Sequence, residues 1–210
     1  MTHRSPTAAC LLTLLLLSGQ ARADCGPQLA AAAQRATHLD NDALSAEAKA
    51  GDAMAQNELG RRYGLGHMGL AKDSEQSFRW YAQSAGQGFC DAQANLAFMH
   101  LNGEGTPKDL EQAKYWYGKA AGQGNARAQY TLGYIAVMGL DGDKDGPTAE
   151  RWFLAAANQG DLSAQQALVT LYSDGKLLPA RPAEAVTWLH RVRDVRLSGR
   201  VWTLEAGEAR

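Results

Sequence analysis

The sequence predicts an all-α fold, a right-handed α-solenoid of about four helix-turn-helix repeats of 36 residues with an N-terminal capping helix pair. Three observations predict it. Trp80, Trp116, Trp152 and Trp188 recur every 36 residues, and Gly88, Gly124 and Gly160 follow at the same step. Leu59, Leu96, Leu132 and Leu168, with Gly66, Gly103, Gly139 and Gly175, mark the other half of each unit at spacings of 37, 36 and 36. Within a unit, small or apolar residues fall at i, i+4 and i+8, as Ala55, Leu59 and Tyr63 do, which is helical spacing and not strand alternation. A fixed period of this size belongs to stacked supersecondary units, each of which buries its apolar face only against its neighbours.

Residues 1–23 read as a signal peptide. They combine a basic start at His3 and Arg4, an apolar run from Ala8 to Leu17 too short to span a bilayer, and the small-x-small end Ala21-Arg22-Ala23. The mature chain is then expected to begin near Asp24 and to be periplasmic or secreted. Without Arg4 and Arg22 it carries 19 basic and 22 acidic residues, a formal charge of −3, which steers toward neither nucleic acid nor an anionic membrane. Cys10 leaves with the signal, so Cys25 and Cys90 alone meet the oxidising compartment, and they are the candidate disulfide. The capping pair and the second unit are two helix layers apart, roughly 20 Å at ordinary interaxial spacing, so pairing requires the terminus to fold back. Otherwise Cys90 is a small buried thiol in the slot that Ala53, Ala126 and Leu162 fill elsewhere.

Residues 24–51 are expected to form the N-terminal cap, from a helix over 28–39 and a degenerate second helix over Ala43 to Gly51. Residues 52–193 hold four units, 52–88, 89–124, 125–160 and 161–193. In each, glycine at position 66 and its equivalents stops the first helix, because glycine takes a left-handed cap without a side-chain clash. Asp73, Asp109 and Asp145 then supply side-chain caps for the second helix, followed in the first two by Gln76 and Gln112 three residues on. In the last unit Arg181 replaces the aspartate and Pro182 marks the helix start. Residues 194–210 are expected to close the last pair loosely or hang free.

The pattern AQxxLGxxYxxG, carried by Ala55, Gln56, Leu59, Gly60, Tyr63 and Gly66, is followed by DxxQAxxWYxxAAxxG. The latter is carried in the second unit by Asp109, Ala113, Trp116, Tyr117, Ala120, Ala121 and Gly124. Together they resemble the Sel1-like repeat (SLR) family, tetratricopeptide-related solenoids, of the secreted bacterial type. The resemblance implies a scaffold that binds a protein partner on its concave face and has no active site. The partner would be an envelope regulator or a secreted antibacterial effector held by an immunity protein. An alternative is an envelope hydrolase acting on cell-wall or β-lactam substrates.

No motif asks for a cofactor, and the histidines lack metal-ligand spacing. The loop Asp141-Gly142-Asp143-Lys144-Asp145-Gly146 imitates the start of a calcium loop, but the twelfth position is Trp152 and Asp145 stands in capping register, so it reads as an interhelical turn. His100 takes the place of Tyr63 and Tyr172. The cations from His190 to Arg200 suit the end of a final helix better than a nucleic-acid patch. On the first helix of each unit, positions 54, 57, 58 and 61 are predicted to point away from the core and to form columns along the inner surface. Arg61, Phe98, Arg127, Tyr130 and Tyr134 lie in those columns and are of the types that dominate interface energies, so they are the predicted partner-binding residues.

Overall fold

The computed structural model describes Cys25 and residues 39–205, with side-chain environments as far as Asp194. The signal segment, all but Leu39 of the expected helix over 28–39, and residues 206–210 lie outside the described residues. Alanine-rich stretches punctuated by glycine give nine helices among the described residues, and no strand. They are α1 (Asn41–Lys49), α2 (Ala53–Leu65), α3 (Ser74–Gly86), α4 (Cys90–Asn102), α5 (Leu110–Gly122), α6 (Ala126–Met138), α7 (Gly146–Ala157), α8 (Leu162–Ser173) and α9 (Pro182–Glu205). Each packs on the helix before and after it in the chain, the nearest-neighbour order of a solenoid. None is long and apolar enough to cross a membrane.

The caps follow the sequence. Asp73, Asp109 and Asp145 accept from the backbone N–H of Gln76, Gln112 and Thr148, each at 2.9 Å. Asp52, Asn125 and Asp161 do the same for the first helices α2, α6 and α8, a set the sequence reading did not single out. Gly66, Gly103 and Gly139 take the left-handed cap at φ 65°, 77° and 62°. In the last unit the expectation is corrected: α8 stops at Ser173 with Asp174 as its cap, and Gly175 comes one residue later.

The cores are small side chains around one aromatic pair per unit. Ser77, Ala113, Ala149 and Ala185 are all buried at the same register. Gly60 and Gly133 permit close approach, because a Cβ on either would sit 2.8 or 2.6 Å from the ring of Tyr81 or Phe153. The tryptophans bridge units: Trp116 packs on the clusters to either side of it, while Trp152 and Trp80 flank one cluster each.

A glutamine ladder ties the units together. Gln56, Gln93, Gln129 and Gln165 are buried, and each donates to the carbonyl eight residues earlier, at 3.0 to 3.3 Å. The first three accept in turn from Gln87, Gln123 and Gln159 at 2.7 to 2.8 Å. At the fourth rung the chain carries Val195 where the next glutamine would stand, and the Oε1 of Gln165 is buried without a partner among the described residues. The array ends there in another respect too. Gly88, Gly124 and Gly160 turn the chain at φ near 90°, but position 196 is arginine, and α9 runs on unbroken to Glu205. Without a residue suited to positive φ the helix continues, so residues 194–205 of the expected tail are helical.

Cys25 and Cys90 are joined, with Cα atoms 5.7 Å apart. Cys25 lies against the second unit, its backbone N–H donating to the carbonyl of Gln123 at 3.2 Å. Both cysteines are buried among Ala94, Ala97, Ala121 and Ala128, so alanine-sized neighbours leave the space the bridge occupies.

His100 is half-buried with its ring edge-on to Phe78, and its Nδ1 has no hydrogen-bond partner. Burial lowers its pKa below the ordinary 6.5, against the opposing charge of Asp109. The unfolded chain therefore binds a proton at this site at a higher pH than the folded one does. Stability is expected to fall as pH drops below about 6.5, levelling off once the folded imidazole also charges. His100→Tyr, which copies Tyr63 and Tyr172, should flatten that part of the profile in thermal melts between pH 7.5 and 5; an unchanged slope would place the effect elsewhere.

Candidate partner-binding surface

The first helices α2, α4 and α6 lie side by side, and a groove of about 520 Å³ opens between the first and second units. Its lining comes from α2 (Asn57, Arg61, Leu65), α3 (Ser77, Tyr81), α4 (Asp91, Asn95, Phe98, Met99) and Arg127 of α6. Three of the five predicted residues, Arg61, Phe98 and Arg127, thus converge on one cavity. The other two do not line it. Tyr134 is 44% exposed on α6, one unit further along. Tyr130 is half-buried with its ring 5.7 Å from Phe153 and packs on the core between the third and fourth units.

Two of the positions predicted to face outward are buried. Asn57 is covered by the second unit, where Asn95 donates to its Oδ1 at 3.2 Å. Glu58 is enclosed by two arginines: Arg61 binds both its oxygens at 2.7 Å, and the Nε of Arg62 reaches it at 2.9 Å. Burial alone would raise the Glu58 pKa, but the hydrogen bonds from Arg61 and Arg62 outweigh it and hold the carboxyl below its usual value. Arg62 is 1% exposed, donating also to Asn41 and to the carbonyl of Leu39, so it pins α1 to α2. The helical angle from Ala55, Leu59 and Tyr63 points Asn57 and Glu58 away from the core, but the second unit and the arginines cover them. The signal that could have placed Glu58 is the Glu58-Arg62 spacing of four, a helical ion pair facing the cap.

The polar floor is a chain of contacts across units. Arg127 donates to Asn95 Oδ1 at 2.6 Å, and Asn125 donates to Asp91 at 3.2 Å. Burial raises the Asp91 pKa, although the charge of Arg127 and the Asn125 hydrogen bond oppose the rise. Tyr81 is also pushed upward, chiefly by burial, so its phenol is a neutral donor at physiological pH. Asp141, in the loop that imitates a calcium site, pairs with Lys114 at 2.7 Å, and Asp145 is occupied as the α7 cap. The groove has hydrogen-bonding groups and an apolar wall at Phe98, Leu65 and Met99, which suits it to grip a ligand.

Fold and groove together define a helical-repeat solenoid with a cavity between the first two units. The sequence pattern described as the Sel1 repeat matches residues 53–89, 90–125 and 126–161, and the chain belongs to that family. The pair α8 and α9 lies beyond the matched ranges, yet packs in the same order. A protective antigen of uropathogenic Escherichia coli displaying an SLR fold superposes with a TM-score of 0.68 at 32% identity, over 73% of this chain and 33% of the other. A Sel1 repeat protein from Oxalobacter formigenes superposes at 0.64 and 32% identity, over 74% and 59%. The chain therefore spans about a third and three fifths of these two. No curated protein matches it. Sel1 repeat proteins are in general non-catalytic scaffolds for protein interaction.

Proposed function

We propose that this chain is a periplasmic scaffold that holds one protein partner on the face formed by its first helices, as an immunity protein holds a secreted antibacterial effector. The observation that carries the reading is the groove between the first and second units, where Arg61, Phe98 and Arg127 meet, with Phe98 and Tyr134 left 45% and 44% exposed. Large aromatics exposed in sequence-adjacent units of an otherwise alanine-packed array are unlike core filling and like interface anchors. A buried disulfide, together with the signal-like residues 1–23, supports an oxidising compartment.

The test is retention of an envelope protein by the mature chain, followed by alanine substitution. Phe98→Ala and Tyr134→Ala are each expected to weaken that complex by about 1–3 kcal/mol while leaving the melting temperature nearly unchanged. If melting falls and affinity survives, the two rings belong to the core and the reading fails.

A further inference from the structure

Tyr81, Tyr117 and Phe153 occupy the same place in three successive units, and comparing them isolates one hydroxyl. Phe153 has none. Tyr117 has Thr131, on the first helix of the next unit, beside its hydroxyl, and the Thr131 hydroxyl itself donates to the carbonyl of Arg127. The residue equivalent to Thr131 one unit earlier is Asn95, but Asn95 is turned to Asn57 and Arg127 instead. Tyr81 is 8% exposed, lines the groove, and makes no hydrogen bond through its hydroxyl among the described residues. Its field is set by Arg127 and Arg61 first, then by Glu58 and Asp91.

Other donors beside it are also unused. Arg61 commits Nε and Nη2 to Glu58, leaving its other N–H groups open, with a side chain 43% exposed. Arg127 commits one Nη2 contact to Asn95 and offers the rest of its guanidinium. The acids present do not fill this need. Glu58 is held between Arg61 and Arg62, Asp91 takes a hydrogen bond from Asn125 and makes no ion pair with Arg127, and Glu104 is exposed at the rim. Donors with N–H or O–H groups not committed within the described chain therefore line one groove with Leu65, Phe98 and Met99.

We propose, resting on the scaffold reading above, that this groove recognises an acidic side chain on the partner's surface, its carboxylate taking hydrogen bonds from Tyr81, Arg61 and Arg127 while a neighbouring apolar residue lies on Phe98. Charge-assisted bonds from guanidinium to carboxylate are the strong class, and a phenol donor adds direction. Tyr81 is a positioning donor that the ring's seat on Gly60 holds in place.

The probe is a set of acetylated, amidated peptides, Leu-Leu-X-Leu-Leu with X as Glu, Gln or Lys, titrated into isotope-labelled mature chain and followed by amide shifts. The Glu peptide is expected to move the signals of Tyr81, Asn95 and Phe98 and to bind about ten-fold more tightly than the Gln peptide, as for a charge-assisted contact; the Lys peptide should not bind. Tyr81→Phe keeps the ring and its packing, so the fold should melt as before while the preference for Glu over Gln shrinks; Arg127→Gln should act alike. Equal binding of Glu and Gln, a preference for Lys, or an unchanged preference in Tyr81→Phe overturns the proposal. An envelope partner whose retention depends on Phe98 but on neither Tyr81 nor Arg127 also overturns it, and leaves the scaffold reading standing.

Discussion

Cys90→Ala is expected to lower the unfolding free energy of the mature chain by about 4 kcal/mol, from the chain entropy released when the cross-link is lost. The bridge closes 65 residues of sequence, which contain α1, α2 and α3. Each helix packs mainly on its neighbours in the chain, so among the described residues the bridge and the Cys25 N–H bond to Gln123 are what join Cys25 to the second unit. The loss should therefore be uneven. Urea titration by circular dichroism should show the N-terminal helices unfolding ahead of α6 to α8, and dithiothreitol should reproduce the effect in the wild type while adding nothing to Cys90→Ala. The alanine is itself suited to the site, since the equivalent positions carry Ala53 and Ala126, so little of the change can come from packing. Transitions that coincide for reduced and oxidised protein would mean that the bridge contributes nothing to the folded array.

That bridge also marks where sequence reasoning stops. The 36-residue landmarks are local and periodic, so Trp80 to Trp188, the capping aspartates and the αL glycines were legible as helices and their ends. Each is decided by contacts within one unit or with the next. The course of the N-terminal segment is decided by tertiary contact, and a layer count treating it as regular stacking placed Cys25 too far from Cys90. Asn57 and Glu58 were misplaced for a related reason. Helical periodicity gives a residue's direction, but whether that direction meets water depends on what lies opposite, here the second unit and the arginines. For the groove, residue type found Arg61, Phe98 and Arg127. It missed Tyr81, which lines the groove and whose hydroxyl makes no hydrogen bond among the described residues. The glutamine ladder was present as AQ and GQG at matching steps, but a ladder is a relation between two repeats and no single repeat displays it.

Arg62→Ala is expected to cost about 3–5 kcal/mol, the range for removing one partner of a buried charged network. The guanidinium serves three elements at once: Glu58 at 2.9 Å, Asn41 at 2.8 Å and the Leu39 carbonyl at 3.0 Å. Truncation leaves the last two as partly buried acceptors without this donor, and leaves Glu58, itself buried, with one arginine fewer. Arg61→Ala is the matched control. Its side chain is 43% exposed and Glu58 keeps Arg62, so the loss should stay below about 1 kcal/mol, as for a surface pair. Arg62→Lys should fall between the two, because one ammonium cannot reproduce a planar fork that meets acceptors in different directions. Hydrogen exchange supplies the decisive readout. If Arg62 is what ties the cap to the array, the amides of α1 lose protection in Arg62→Ala while those of α6 and α8 keep theirs. Uniform loss across all units would instead make Arg62 a contributor to general stability, with the cap held by its apolar contacts through Leu44 and Ala48.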